Sequence, residues 1–552
     1  MRQSEEASRR RTAVWWRRTS PKTRIADRAG AFATFCAVLL ATSLLAVSCT
    51  LGPSTRPPLA TSGGTSSSAS TPSHSATTPV PLGPGGPGHV APPIVWVACP
   101  PPTSNTASDG TSFTVRCAEV TVPLSYQQPR RGHLSLKVAE ARGDQTPEDA
   151  PPLIVTMGDP GSHNQADIAD MAASLPDAIR NSYAIVTVDA RGTGFSSGIT
   201  CVTPSTAAAI VGMSADPATE AGGSQLSTIA RQLTFDCGDM VGPALTTINS
   251  TNAADDLDVV RAALGIPALS LVASGGSATI GAIYADRYPG RVAAMVLGAP
   301  ADPLTTPQQH AAASAESAER LFDDFAAACA GFDDGCPLGP DPRRTVSALV
   351  ERLATSGIDS GNWTMTGGSV LMALTEFLPA KDSWPALAHA IATLDSGNAR
   401  PLSSLLTTTS DGRTLTATLS GRILYTCNDS SARLSATDMS TAARAARDGA
   451  PLFGPFAVGA ASLCSAWPTP DEPLGRLSAN GAPPIIVIGS TRNPVHPYAE
   501  AQAVAGQLTS ALLVSWESGS DDIYPGNECV ATIVNAYLLR AATPDRGVLC
   551  PP

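Results

Sequence analysis

Apolar residues cluster in short runs along this chain from about residue 150 onward. Leu153–Met157, Tyr183–Val188, Ala268–Ala273, Ala293–Leu297, Ile485–Ile488 and Leu512–Trp516 are each nearly unbroken by charge. Runs of this length without alternation suit strands covered on both faces, and predict a mostly parallel sheet. Asp255–Leu264 and Ala278–Tyr288 have helical spacing between them, and Pro289-Gly290 stops the second helix. Strand and helix in succession give an α/β core with crossovers. From about Asp302 to Gly481 the strand signal fades and Ala-rich helical periodicity replaces it. The predicted body is thus a core over 96–302, a helical cap over 303–480 and a return to the core over 481–552. No internal repeat is visible.

The pattern ahead of the body differs. From Thr50 to about Pro93 the chain is Ser, Thr, Pro and Gly with few large apolar residues, which cannot offset the entropy of ordering. Residues 49–95 therefore read as a tether. Residues 1–28 are a basic leader, and 29–48 an uncharged apolar run. That run ends in Leu44-Leu45-Ala46-Val47-Ser48-Cys49, which resembles a bacterial lipobox with Cys49 as the lipid-bearing residue. The alternative is an uncleaved signal anchor, because the run is about long enough to span a bilayer. Both place the body outside the cytoplasm, anchored to the cell membrane or secreted. The leader is long for a signal peptide, which points to a start downstream of Met1.

Charge and cysteine content agree with export. The 552 residues carry a net charge of -11, with 43% apolar and 15% charged residues, a globular composition. Nine Arg or Lys and three Asp or Glu fall in residues 1–28; 36 less nine leaves 27 basic residues, and 47 less three leaves 44 acidic ones, so the rest is near -17. Nucleic-acid binding needs clustered Lys and Arg and is excluded. Of 12 cysteines, Cys36 lies in the apolar run and Cys49 in the lipobox. The other ten fall in sequential pairs: Cys99 and Cys117, Cys201 and Cys237, Cys329 and Cys336, Cys427 and Cys464, Cys529 and Cys550. An even count without CxxC or His-rich spacing points to disulfides rather than zinc. Nearest-neighbour pairing is the expectation, which sequence alone does not fix.

Several motifs stand together at positions that match one known protein family. Gly158-Asp159-Pro160-Gly161 stands where that family has a Gly-Gly-Pro-Gly oxyanion loop, and Asp189 to Ser196 matches its D-x-R-G-x-G-x-S loop. Asp255-Asp256-Leu257 with Arg261 is similar to its helix before the nucleophile strand, and Tyr284-Ala285, Tyr288-Pro289 and Val296-Leu297 follow at its spacing. Asp382-Ser383-Trp384-Pro385, Cys427 and Cys464-Ser465-Ala466-Trp467-Pro468 resemble its cap; Val530 to Cys550 resembles its C-terminal helix and last cysteine. Together these motifs resemble the secreted tripeptidyl-aminopeptidase-like (TAP-like) branch of the α/β hydrolases; the resemblance covers about 96–552 and implies an α/β-hydrolase fold, a mostly parallel sheet with flanking helices and an inserted helical cap.

Its catalytic positions depart from the pattern. A nucleophile in this fold sits on a sharp strand-to-helix turn between small residues. Here the turn is Ala273-Ser274-Gly275-Gly276-Ser277, and spacing from both sides places Gly275 at the apex, where no side chain can attack. Ser277 and Ser274 are fallback nucleophiles, each shifted off the apex. The family's acid pattern, Gly-x-x-Asp-Pro-x-x-Pro, falls on Gly489 to Pro497 and puts Asn493 in the acid's place; an amide orients an imidazole but does not stabilise its charge. The base's turn, Glu517 to Tyr524, offers Asp521 or Asp522, and no His follows His496. Asp159 replaces an oxyanion-loop glycine: its carboxylate either opposes the developing charge or faces solvent.

The remaining histidines supply no evident substitute. His163, past the oxyanion loop, and His496, on the acid loop, read as solvated loop residues, with a place at the pocket border as the alternative. His74 and His89 fall in the tether; His133, His310 and His389 fit no motif. No metal-ligand cluster or phosphate loop is present, so no cofactor or metal is expected; Gly83 to Gly88 is linker composition. Two functions remain: a pseudoenzyme whose cleft holds a peptide, acyl or protein ligand, and an active serine peptidase or esterase using Ser277 or Ser274.

Overall fold

A computed structural model describes residues 89–552 except 162–163, 362, 408–414, 471 and 521–522. The leader, the apolar run, Cys36, Cys49 and most of the tether lie outside the described residues, as do His74, His163, Asp521 and Asp522. Among the described residues no helix is long and apolar enough to cross a membrane.

Ten strands form one sheet: β1 (Val97–Ala98), β2 (Thr114–Pro123), β3 (His133–Arg142), β4 (Pro152–Thr156), β5 (Ala184–Val188), β6 (Leu269–Ser274), β7 (Val292–Gly298), β10 (Ile485–Ser490), β11 (Ala511–Trp516) and β12 (Val548–Cys550). Their order is β1-β2-β3-β5-β4-β6-β7-β10-β11-β12. The β1 to β5 pairings are antiparallel and every later one is parallel. Strands β8 (Ile358–Asp359) and β9 (Thr364–Met365) make a separate ribbon. All six predicted strands are present to within a residue or two.

Alternate residues of the central strands enter two different cores. Ile154, Leu271, Met295, Ile485 and Val487 join one face, with α5 (Ser250–Ala263) and α6 (Gly276–Arg287). Leu153, Val155, Val272, Val296, Ile486 and Ile488 join the other, with α1 (Ile168–Ser174) and α16 (Glu528–Arg540). Cover on both faces is why these strands read as unbroken apolar runs. Smaller helices α2 (Asp177–Arg180) and α15 (Tyr498–Gln507) complete the flanks.

The helical block holds α7 (Pro307–Cys329), α8 (Pro342–Leu353), α9 (Gly367–Phe377), α10 (Trp384–Asp395), α11 (Arg400–Thr407), α12 (Leu415–Asp429), α13 (Ala436–Gly449) and α14 (Gly454–Ala461). Its own core includes Phe322, Phe325, Leu349, Trp384 and Phe453. Two earlier helices, α3 (Pro204–Val211) and α4 (Glu220–Val241), join it, Val211 lying in that core. Among the described residues there are five disulfides, Cys99–Cys117, Cys201–Cys237, Cys329–Cys336, Cys427–Cys464 and Cys529–Cys550, the nearest-neighbour set.

The family-like motifs outside the elbow, the sharp turn from β6 into α6, brace the core. Arg191 is fully buried; its Nε donates to Asp256 Oδ2 (2.8 Å) and its Nη1 to the Leu124 carbonyl (2.9 Å). Asp255 accepts from Arg287 and the Tyr288 hydroxyl, and Asp258 from Arg261 and Arg291. His89, placed in the tether by composition, is already fastened there: its N–H donates to Asp258 (2.9 Å) and its ring meets Tyr288 Oη (3.1 Å).

Candidate functional site

Strands β4, β6, β7 and β10 run parallel, with Thr156 opposite Ala273, Ser274 opposite Gly298, and Gly298 opposite Ile488. The loops leaving β4, β6 and β10 therefore converge beyond the strand ends, where open α/β sheets place ligands. Gly275 is the single residue between β6 and α6, with φ 60° and ψ -137°, a conformation that disfavours any side chain. Its N–H donates to the Gly298 carbonyl (2.9 Å), and its carbonyl receives the Ala278 N–H (3.0 Å). The sharp strand-to-helix turn is built, and its apex is Gly275.

The Gly158-Asp159-Pro160-Gly161 loop after β4 folds over this apex. Asp159 Oδ1 accepts from the Gly276 N–H at 3.0 Å, the first free donor of α6. The same oxygen lies 3.1 Å from His496 Nε2, and Oδ2 lies 3.5 Å from Arg422 Nε. Burial alone would raise the Asp159 carboxyl; His496, Arg422 and the Gly276 N–H override it and hold it well below the usual carboxylate range. Of the two orientations open in the sequence, the carboxylate takes the one over the turn. Arg422 reaches it because α12 presses on the loop at Gly421, where an added Cβ would lie 2.6 Å from the Pro160 carbonyl. Arg422 also pairs with Glu376 on α9.

His496 is not a solvated loop residue. It is 8% exposed, and a Cβ added to Gly275 would stand 3.0 Å from its Nε2. Its loop is fixed from within: Asn493 Oδ1 accepts from the backbone N–H groups of Val495 (2.8 Å) and His496 (2.9 Å), and Ser314 on α7 donates to the Pro494 carbonyl. Asn493, fully buried, thus spends its oxygen on its own loop. Asp521 and Asp522, expected at the base's position, fall outside the described residues.

Neither fallback serine borders the cleft. Ser274 Oγ accepts from the Gly158 N–H (3.0 Å) and donates to Met157 Sδ (3.6 Å), one residue below the apex. Ser277 is 8% exposed and lines a separate void of about 30 Å³ beside Asp189 and Arg191. A nucleophile must meet its base at hydrogen-bond distance, and no hydrogen bond joins either hydroxyl to a described histidine.

Between the elbow and the helical block lies a cavity of about 400 Å³. Ile210, Met213, Ile423, Phe453, Phe456 and Leu463 form apolar wall, and Asp159, Arg422 and His496 stand at the elbow end. His310 on α7 lines it as well; its Nδ1 lies 2.6 Å from Glu500 Oε1, and Glu500 is 4% exposed. Burial lowers the His310 pKa, but the Glu500 carboxylate outweighs burial and raises it. Asp429, at the end of α12, accepts from the Ser250 N–H (2.8 Å) and hydroxyl (2.6 Å), and burial pushes its carboxyl up to about 6. The 310–500 pair and Arg422 belong to no motif; only the tertiary fold brings them to the cleft. Among the described residues no three metal-ligating side chains converge.

Comparison with known proteins gives relatives throughout the body. The family model for TAP-like proteins matches residues 450–550, and that for the alpha/beta hydrolase fold matches 151–346. Serine protease Hip1 of Mycobacterium tuberculosis is 26% identical over 484 residues, covering 83% of this chain and 91% of its own length. Carboxylesterase B of the same organism is 28% identical over 481 residues, covering 84% and 91%. Tripeptidyl aminopeptidase of Streptomyces lividans is 26% identical over 458 residues, covering 79% and 84%. Among solved structures, proline iminopeptidase of Mycobacterium smegmatis is similar at 12% identity and a TM-score of 0.34, covering 76% of this chain and 98% of its own.

Proposed function

The chain belongs to the TAP-like α/β-hydrolase family, and from that premise we propose that it is a pseudoenzyme, binding in its cleft without cleaving what it binds. One observation carries the reading: Gly275 at the apex has no side chain, and the Asp159 carboxylate sits on the Gly276 N–H beside it. In acyl transfer that N–H would stabilise the developing negative charge; losing one such donor costs about 10²–10³ in rate. Here the donor is engaged and a negative charge is fixed on the spot. Ligand contact falls instead to the apolar wall and the polar groups around His310 and Asp429. The ligand class is a peptide, an acyl compound or a partner protein.

The leader, apolar run and Cys49 support an exported protein held at the membrane by a lipid or a signal anchor, and five disulfides suit that compartment. An active serine hydrolase using Ser277 or Ser274 remains the alternative from family membership, with no contact of either hydroxyl favouring it. The test is turnover of p-nitrophenyl esters and tripeptide anilides by the full-length protein in detergent. We expect rates no higher than those of the heat-denatured sample. Turnover abolished by Ser277→Ala, Ser274→Ala or His496→Ala would overturn the proposal.

A further inference from the structure

The elbow is less dismantled than its missing serine suggests. His496 Nε2 occupies the space beside the apex, 3.0 Å from where a Cβ on Gly275 would lie, so a hydroxyl one bond further falls within hydrogen-bond reach once the imidazole yields by a few tenths of an ångström. A general base must stand within about 2.6–3.2 Å of the proton it takes. The imidazole is also held in advance: the Asn493 oxygen fixes its backbone, Pro494 and Pro497 flank it, and Ser314 ties the loop to α7. Gly275 has the φ of 60° of this sharp turn, where a side chain is held under strain, and Gly276 presents its N–H at the head of a helix of 12 residues. What blocks that donor is one side chain, Asp159, which also engages His496.

We propose that His496, on the loop after β10, has taken the place of the base expected after β11, so that among the described residues the site still lacks a nucleophile, a carboxylate in the acid's place and a free oxyanion donor. Gly275→Ser together with Asp159→Gly then restores attack on an activated acyl or phosphonyl centre. With a fluorophosphonate, the serine Oγ passes its proton to His496 Nε2 as the O–P bond forms; the P–F bond breaks, fluoride leaves, and the imidazolium returns its proton to water. This goes beyond the proposed function, which concerns the wild-type chain.

The experiment compares four full-length proteins by intact mass after fluorophosphonate treatment: wild type, Gly275→Ser, Gly275→Ser/Asp159→Gly, and the latter with His496→Ala. The double variant should gain one adduct, at a rate rising with pH as an imidazole loses its proton. Removing His496 should slow labelling by about 10² or more, and retaining Asp159 by about 10²–10³. Near-ultraviolet circular dichroism checks folding. Gly275→Cys/Asp159→Gly supplies a second reading, thiolate absorbance at 240 nm. A thiol paired with His496 titrates below the free value of about 8.5, and an unpaired one does not. A folded double variant that stays unlabelled, labelling indifferent to His496, or a thiol with the free value would each overturn the proposal. Those failures leave the pseudoenzyme reading intact; labelling of the wild type would remove that reading alone.

Discussion

Replacing Asp429 by Asn takes a poorly solvated charge out of the wall between α12 and α5. Its carboxyl is pushed from 3.8 up to about 6, burial outweighing the two hydrogen bonds from Ser250. A shift of about two units is worth ~3 kcal/mol at most, at 1.36 kcal/mol per unit. Partial exposure of Asp429 to the cleft reduces that to about 1–2 kcal/mol. The sign follows from proton binding: the folded state holds the proton more tightly than the unfolded, so this residue's contribution falls as the pH rises from about 4 through 6 and is flat above. Asn keeps an acceptor for the Ser250 N–H, and its amide can donate to the Ser250 hydroxyl, which turns to receive it. Asp429→Asn should therefore stabilise the protein at pH 7.5 and leave it unchanged near pH 3.5. With an unfolding entropy of about 1 kcal/mol per degree for a body of this size, the gain in Tm is about 1–2 °C. Paired thermal melts of wild type and variant at both pH values provide the assay. Destabilisation at pH 7.5, or an equal gain at both, would refute the reasoning.

Two further expectations concern the frame around the cleft. Arg191→Met leaves Asp256 buried without its partner and should cost about 3–5 kcal/mol, read as a fall in the urea midpoint with the slope unchanged; a loss below 1 kcal/mol would mean that Asp256 finds another partner. Replacing both Cys427 and Cys464 by Ser opens a loop with a sequence separation of 37 and should cost about 3–4 kcal/mol, measured against the oxidised protein, while a neutral result would show that packing between α12 and the 462–464 turn suffices.

The parts of the fold visible in the sequence are those where burial dictates composition. Central strands such as Ile485–Ser490 are buried at every position and so contain little but Ile, Val and small residues. The long β2–β3 hairpin is not legible that way because its half-buried positions hold Arg116, Lys137 and Arg142 and an exposed one holds Glu119, which break the apolar run. Gly275 was readable as the apex because spacing along β6 and α6 is set by local geometry. Asp159 was readable as a member of its loop, but its orientation depends on the head of α6, more than a hundred residues away. The place of His496 is illegible for the same reason: a lone histidine between two prolines looks solvated until the loop after β10 is laid over the elbow. His310 needed Glu500, on another helix, to become part of the cleft.

The central claim is that the wild-type elbow performs no nucleophilic chemistry, and intact mass after fluorophosphonate treatment of the full-length protein tests it most directly. With a related active enzyme labelled in parallel, the account predicts an unshifted mass. A shift of one adduct, mapped to Ser277, Ser274 or a residue of the cleft, would contradict it.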